Sequence, residues 1–281
     1  MPQTSPDDGG AAPSAPVLPT PHAPAAGSRA AAPRRETMGG LAKGLAILEL
    51  FGPDLPRVTV AEAARGAQLS PASARRCLIT LEESGYVSFD GKFYRPTPRI
   101  VRLGSSYIET SPLASLATPC VDRARDELEE SVSVALRDDT YVVFVARAEV
   151  RRIVSAGVRL GARLPVLASA SGRVLLAAEP DSVTDDLLSR WSPHPTTPRT
   201  LRTPEQVRER VSEARRDGYA ITDEELEAGM RTMSVPVVDS TGATRAAMSV
   251  AVFASRATVE ELRTRHLPVL QEEAARLGRA L

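Results

Sequence analysis

Read along its length, the sequence implies an α+β chain in two ordered parts. Helices and one small hairpin come first, and a helix-covered sheet follows. Three observations carry this reading. The chain has 281 residues, enough for about two domains at roughly 100–200 residues each. Apolar residues recur at helical spacing through the first part, whereas strand-like and helical runs alternate in the second. Charge is also uneven although the net charge is zero: residues 29–104 hold twelve Lys+Arg against seven acids, and residues 105–281 hold 23 against 26. A basic front suggests an anionic partner there. Of the 35 basic residues only Lys43 and Lys92 are lysine, so arginine abundance alone says nothing about function.

Composition excludes other classes. Hydrophobic residues make up 42% and charged residues 25%, which argues against collagen-like, wholly disordered or coiled-coil chains. No apolar run approaches the roughly 18 residues of a membrane span. The two cysteines, Cys77 and Cys120, make neither a disulfide framework nor a zinc ligand set, so a cytoplasmic location is expected.

Residues 1–36 contain eight of the 23 prolines and no aromatic residue. They read as a disordered Pro/Ala-rich tail, interrupted too often for a secretory signal. Arg29, Arg34 and Arg35 there could touch phosphates, but a solvated tail is the plainer reading.

The first helix is expected over about 39–51, where Leu41, Leu45, Leu48 and Phe51 recur. Gly52-Pro53 stops it. Thr59-Val60-Ala61-Glu62 is a capping box opening a short helix that ends at Gly66. Ser70-Pro71 places an N-cap before a proline at the first helical position, opening a helix to about Gly85. Tyr86–Phe89 and Lys92–Arg95 flank Asp90-Gly91 as a β-hairpin. Helix, short helix, three-residue turn, helix and hairpin is the order of a winged helix-turn-helix, with Leu69 of the turn packing inward.

The second helix of such a motif enters the major groove. Its apolar face is Ala74, Cys77, Leu78 and Leu81, which makes Cys77 a core thiol. Ala72, Ser73, Arg75, Arg76 and Thr80 then face outward. Arginine can bond guanine edges bidentately or neutralise phosphates. Thr59 and Ser70 sit at helix N-termini, which favour phosphate oxygens. Lys92 and Arg95 on the hairpin would follow the backbone or a minor groove.

A connecting helix is expected over 99–109 and another over 112–131. Strand-like runs follow at 132–136, 141–148, 152–158, 234–238 and 244–253. Helical runs fall at 169–179, 181–190, 204–217 and 258–281. The domain boundaries expected are 1–36 for the tail, 37–97 for the winged helix-turn-helix, 98–111 for a linker helix and 112–281 for the back domain.

These residues resemble a known family. Gly40–Leu48 (Gly-Leu-Ala-Lys-Gly-Leu-Ala-Ile-Leu) is similar to the opening helix of the isocitrate-lyase-regulator (IclR) family of bacterial transcription factors. Leu69–Leu78 (Leu-Ser-Pro-Ala-Ser-Ala-Arg-Arg-Cys-Leu) resembles its recognition helix. The match continues through Thr97-Pro98-Arg99, Leu164-Pro165, Gly172–Ala177, Gly218-Tyr219-Ala220 and Ser234–Val237, covering about residues 38–281. The resemblance implies a GAF/PAS-like α/β effector domain behind the linker, and homodimers or tetramers on palindromic double-stranded operators. The recognition helix and Ala146–Glu149 look most like regulators of aromatic-acid catabolism, serving protocatechuate, 4-hydroxybenzoate and β-ketoadipate. A family regulator with an aliphatic or keto-acid effector remains the alternative.

The effector that the resemblance implies is a small carboxylate, and the subgroup likeness points to an aromatic one. Ser169-Ala170-Ser171-Gly172 opens a helix whose N–H groups can hold a carboxylate. By position in the family, Ala170 and Ser171 fall on backbone contacts, and Thr222, Thr232, Ser249 and Ala251 on side-chain contacts. Binders of glyoxylate and pyruvate in this family carry an acid at the position of Thr222, a cysteine at that of Thr232 and a serine at that of Ala251. A less polar pocket here agrees with an aromatic ligand. Ser169 equally reads as a helix cap, and Thr232 and Ser249 as ordinary strand residues. Arg147, Arg151, Arg152, Arg159, Arg163 and Arg231 are all open candidates for a counter-charge.

An enzyme is not expected. His22, His194 and His266 neighbour no candidate nucleophile, and no hydrolase elbow, P-loop or zinc-protease motif occurs. Asp223, Glu224, Glu225 and Glu227 read as an acidic turn without a histidine, not a metal site. No cofactor and no membrane partner is implied. An enzyme with an appended DNA-binding domain would consume its ligand, and a purely structural DNA binder would ignore it.

Overall fold

The computed structural model describes residues 37–52, 54–150 and 158–281. They fall into two compact units that divide between Ser106 and Tyr107.

In the front unit, helix α1 (Gly39–Leu48) is followed by α2 (Val60–Gly66) and α3 (Pro71–Glu83), then strands β1 (Val87–Phe89) and β2 (Tyr94–Pro96). Thr59 and Glu62 complete the expected capping box, and Ser70 accepts the Ser73 N–H with Pro71 at the first turn. The turn between α2 and α3 bends because Gln68 takes a left-handed backbone, φ 54°, a conformation side chains seldom adopt. Ile47, Val58, Ala63, Ala74, Leu78 and Tyr94 form the core, with Leu69, Cys77 and Leu81 packed against it. Burying one such leucine contributes about 1.5–3 kcal/mol. Val58 pairs in both directions with Tyr94 (2.9 and 2.8 Å), so the hairpin is anchored to the segment leading into α2. The second hairpin strand lies one to two residues later than its pattern suggests, because Asp90 accepts the N–H groups of Lys92 and Phe93 and keeps both in the turn.

Helix α4 (Val101–Thr110) follows a short 3₁₀ turn at Pro98–Ile100. Helix α5 (Pro112–Leu128) ends three residues before the expected boundary, because Glu129 turns left-handed (φ 55°). In the back unit come β3 (Ser131–Asp138), β4 (Tyr141–Ala148), β5 (Arg163–Pro165), α6 (Ala170–Ala177), α7 (Asp181–Ser189) and α8 (Pro204–Asp217). Strands β6 (Ala220–Asp223), β7 (Met230–Val238) and β8 (Thr244–Phe253) follow, then α9 (Val259–Glu261), a π turn at Leu262–His266 and α10 (Leu267–Ala280). Pro268 supplies no N–H, so the helical hydrogen-bond ladder ahead of it must shift.

The six strands β3–β8 make one antiparallel sheet in the order β5-β4-β3-β8-β7-β6. One face packs on α5 and α10 through Val121, Leu128, Val132, Met248, Leu270 and Leu277. The other packs on α6 and α8 through Ala135, Phe144, Leu176, Val207, Val211 and Ala247. Helices on both sides of an antiparallel sheet make the α+β effector-type domain. Strands β5 and β6 had no counterpart in the sequence reading, being three and four residues long, and β7 begins four residues before its apolar run. The strand expected over 152–158 lies outside the described residues except Val158, which is not in a strand. No helix among the described residues is long and apolar enough to cross a membrane.

Candidate DNA-reading helix and effector face

Helix α3 buries Ala74 and Leu78, and helical period then turns Ala72, Arg75, Arg76 and Thr80 to the exposed side, with Ser73 half-buried. Among the described residues neither Arg75 nor Arg76 makes an ion pair. In the back unit most surface arginines are held by neighbouring acids, as in Arg208–Asp185 and Arg215–Asp181, although among the described residues Arg159, Arg202, Arg265 and Arg279 make no ion pair. Unpaired guanidiniums on one exposed helix face remain available to an anion. Thr59 spends its hydroxyl and its N–H on Glu62, each at 2.8 Å; the Thr59 N–H holds the Glu62 carboxyl below the usual carboxylate range. On the hairpin Lys92 lies 5.1 Å from the Phe93 ring, and Arg95 sits 3.4 Å from Asp90. Both are exposed.

Of the seven expected effector residues, Thr222, Thr232, Ser249 and Ala251 share the α6 face of the back sheet and Ser171 reaches it through Ser234, while Ser169 and Ala170 begin α6. Register places Thr222 opposite Thr232, Thr232 opposite Ala251 and Ala251 opposite Ser131. Residues directly opposite share a face, so these four form one row across β6, β7, β8 and β3. The adjoining row, two residues along, runs Ser234, Ser249, Ser133 and Arg147. Ser234 reaches Ser171 of α6 at 3.3 Å, which fixes the helix start over these rows. Ser169 caps α6, accepting the Gly172 N–H at 3.1 Å. Gly172 permits the approach: a Cβ there would stand 1.9 Å from the Val166 carbonyl oxygen.

This face is polar and sheltered at once. Ser133, Ser171, Thr222, Ser234 and Ser249 are all buried. Among the described residues Thr222, Thr232 and Ser249 make no side-chain hydrogen bond; their oxygens are not sealed from solvent, Thr232 being half-buried, so they are free to meet a ligand. Sequence reasoning missed Ser131, Ser133 and Ser234. Their alternation with valine reads equally well as a strand with one wet face.

Among the described residues no group of three His, Cys, Asp or Glu could hold a metal ion. The acidic turn is bound by arginines instead. Asp223 meets Arg199 and Arg231, and Glu225 forms a bidentate pair with the buried Arg173 at 3.2 and 2.5 Å. Two concavities, one beside Glu130 and His266 and one beside Val238 and Gln271, touch none of the expected effector residues.

Comparison with known proteins agrees with both halves. Residues 40–91 match the IclR helix-turn-helix domain, and residues 105–279 match the bacterial transcriptional regulator IclR C-terminal domain. The chain is 36% identical over 234 residues to a Pca regulon regulatory protein of Pseudomonas putida, covering 83% of this chain and 80% of that one. It is 31% identical to a p-hydroxybenzoate hydroxylase transcriptional activator of Acinetobacter baylyi, covering 85% and 90%. Among solved structures, an IclR homolog of Microbacterium hydrocarbonoxydans complexed with 4-hydroxybenzoate superposes with a TM-score of 0.71 at 27% identity, covering 86% and 99%.

Proposed function

This chain belongs to the IclR family of bacterial transcriptional regulators, DNA-binding proteins and not enzymes, and from that premise we propose how its two units divide the work. The front unit reads an operator through α3. Arg75 and Arg76 contact base edges or phosphates, and Ala72, Ser73 and Thr80 line the same surface. Thr59 and Ser70 set helix starts against the backbone, with Lys92 and Arg95 of the hairpin alongside. The protein acts as a homodimer or tetramer in the cytoplasm on a palindromic site, each front unit reading one half. Exposed Leu41 and Leu45 on α1, and Val101 and Leu103 on α4, offer apolar surface for such pairing.

The back unit senses a small aromatic carboxylate of the protocatechuate, 4-hydroxybenzoate or β-ketoadipate routes. The observation that carries this reading is the sheltered face where Ser171, Thr222, Thr232, Ser249 and Ala251 meet, with Ser169 and Ala170 at the start of α6. Three hydroxyls there make no hydrogen bond among the described residues, and no carboxylate stands among the residues of this face. Thermal unfolding of the purified chain with protocatechuate, 4-hydroxybenzoate, β-ketoadipate, glyoxylate and pyruvate tests it. An aromatic-route acid raises the melting temperature saturably, by several degrees at about 100 times its Kd. A rise with glyoxylate or pyruvate alone keeps the family and discards the aromatic assignment.

A further inference from the structure

We propose that Arg147 takes the carboxylate of the effector, assisted by Ser133 at its side. This rests on the effector reading above and adds the charged anchor which that reading lacks.

The six arginines open in the sequence separate in the structure. Arg151 and Arg152 lie outside the described residues. Arg159 is exposed. Arg163 lies over the Tyr141 ring at 4.3 Å and meets Asp138 at 3.3 Å. Arg231 is consumed by Asp223 and by the carbonyl oxygens of Ala254 and Ala257. Arg173 of α6 is buried too, but Glu225 neutralises it.

Arg147 is different. Its side chain is only 7% exposed. Nη1 donates to Ser133 Oγ at 2.9 Å, while Nε and Nη2 are buried and make no hydrogen bond among the described residues. The nearest acid, Glu149, stands 3.7 Å from Nη2 and is itself half-exposed, beyond hydrogen-bond reach. Burial lowers the Arg147 pKa, yet a guanidinium keeps its proton in proteins. A buried cation with two idle donors is costly unless an anion meets it.

The idle donors also specify the anion. Nε and Nη2 form one side of the guanidinium, a fork matched to the two oxygens of a carboxylate. Arg123 shows the same grip in this chain, placing Nε on Oε1 and Nη2 on Oε2 of Glu273 at 3.1 and 2.8 Å. Ser133 accepts from Nη1, so its hydroxyl proton is free for the same ligand. Arg147 shares its face with Ser249 and Ser234, and Ser234 leads to Ser171. Strands lie about 4.8 Å apart, so β3 and β7 are about 10 Å apart across β8. A ligand anchored over β3 therefore reaches Thr232 and Ser171 with its far end, where a ring hydroxyl finds hydroxyl partners.

The test is calorimetric titration of the full-length chain with 4-hydroxybenzoate, protocatechuate and the uncharged 4-hydroxybenzamide. The wild-type chain binds 4-hydroxybenzoate at least about 30-fold more tightly than the amide, the loss expected when one partner of a buried charge pair is removed. Arg147→Met loses that preference by losing acid affinity, keeps the amide affinity, and melts no lower than wild type. Arg147→Lys, with charge but no fork, falls between. Equal affinity of the wild-type chain for acid and amide overturns the proposal, whatever the variants do. So does Arg147→Met holding the acid within about threefold of wild type, and in both cases the effector reading survives. If the wild-type chain binds neither 4-hydroxybenzoate nor protocatechuate, this proposal falls, and the response of thermal unfolding to β-ketoadipate decides whether the effector reading falls with it.

Discussion

Two buried arginines on the same side of one sheet have opposite fates. Arg173 is 1% exposed and spends both terminal nitrogens on Glu225. Among the described residues Arg147 meets only the exposed Glu149, 3.7 Å from Nη2. The expected responses to mutation are therefore opposite. Glu225→Gln leaves Arg173 buried and unpaired, and stability measured by urea unfolding falls by about 3–5 kcal/mol. Arg147→Met leaves stability unchanged or higher. A loss below about 1 kcal/mol for Glu225→Gln would show that Arg173 is solvated or relaxed in solution. The sequence could not have told these residues apart. Arginine is common throughout the chain, and what distinguishes Arg147 is the absence of an acid across the strand. The carboxylate that serves Arg173 lies 52 residues away. Sequence neighbours say little about such long-range pairs.

Local chemistry made the helices legible. The caps at Thr59 and Ser70 mark the starts of α2 and α3, as the structure confirms. Each start is fixed by residues within three positions, so tertiary context has little to add. Strands β5 and β6 were not legible. Three or four residues joined to their partners by long-range register carry too little periodicity of their own. The polar rows of the effector face were half legible. Ser249 and Thr232 came from family position, whereas Ser133 and Ser234 emerge only once register places them under α6. For α3 the expectation is specific. Replacing Arg75 or Arg76 with Ala weakens operator binding by about 1–3 kcal/mol if the contact is to a base. Equilibrium binding to cognate and scrambled duplexes separates the cases. A selective loss marks base readout, and a uniform loss with a smaller salt slope marks a phosphate contact. No loss from either change means that another face of α3 meets the DNA.

The chain as a whole pairs a DNA-reading unit with a sensing unit, joined in sequence by α4. That division was legible early because charge, periodicity and motif order all change near the same place. A signal can pass between the units only if the effector binds two states of the protein with different affinity. Coupling is then reciprocal: the acid shifts operator affinity by the same factor as the operator shifts acid affinity. Such couplings amount to about 1–3 kcal/mol, or 5–150-fold. The most direct measurement is the affinity of the full-length chain for a palindromic operator selected from random DNA, at fixed salt, with and without saturating 4-hydroxybenzoate or protocatechuate. A regulator of this kind binds the operator specifically and changes that affinity at least about fivefold with one of the acids. Specific binding that no acid alters would contradict the coupling of the two units.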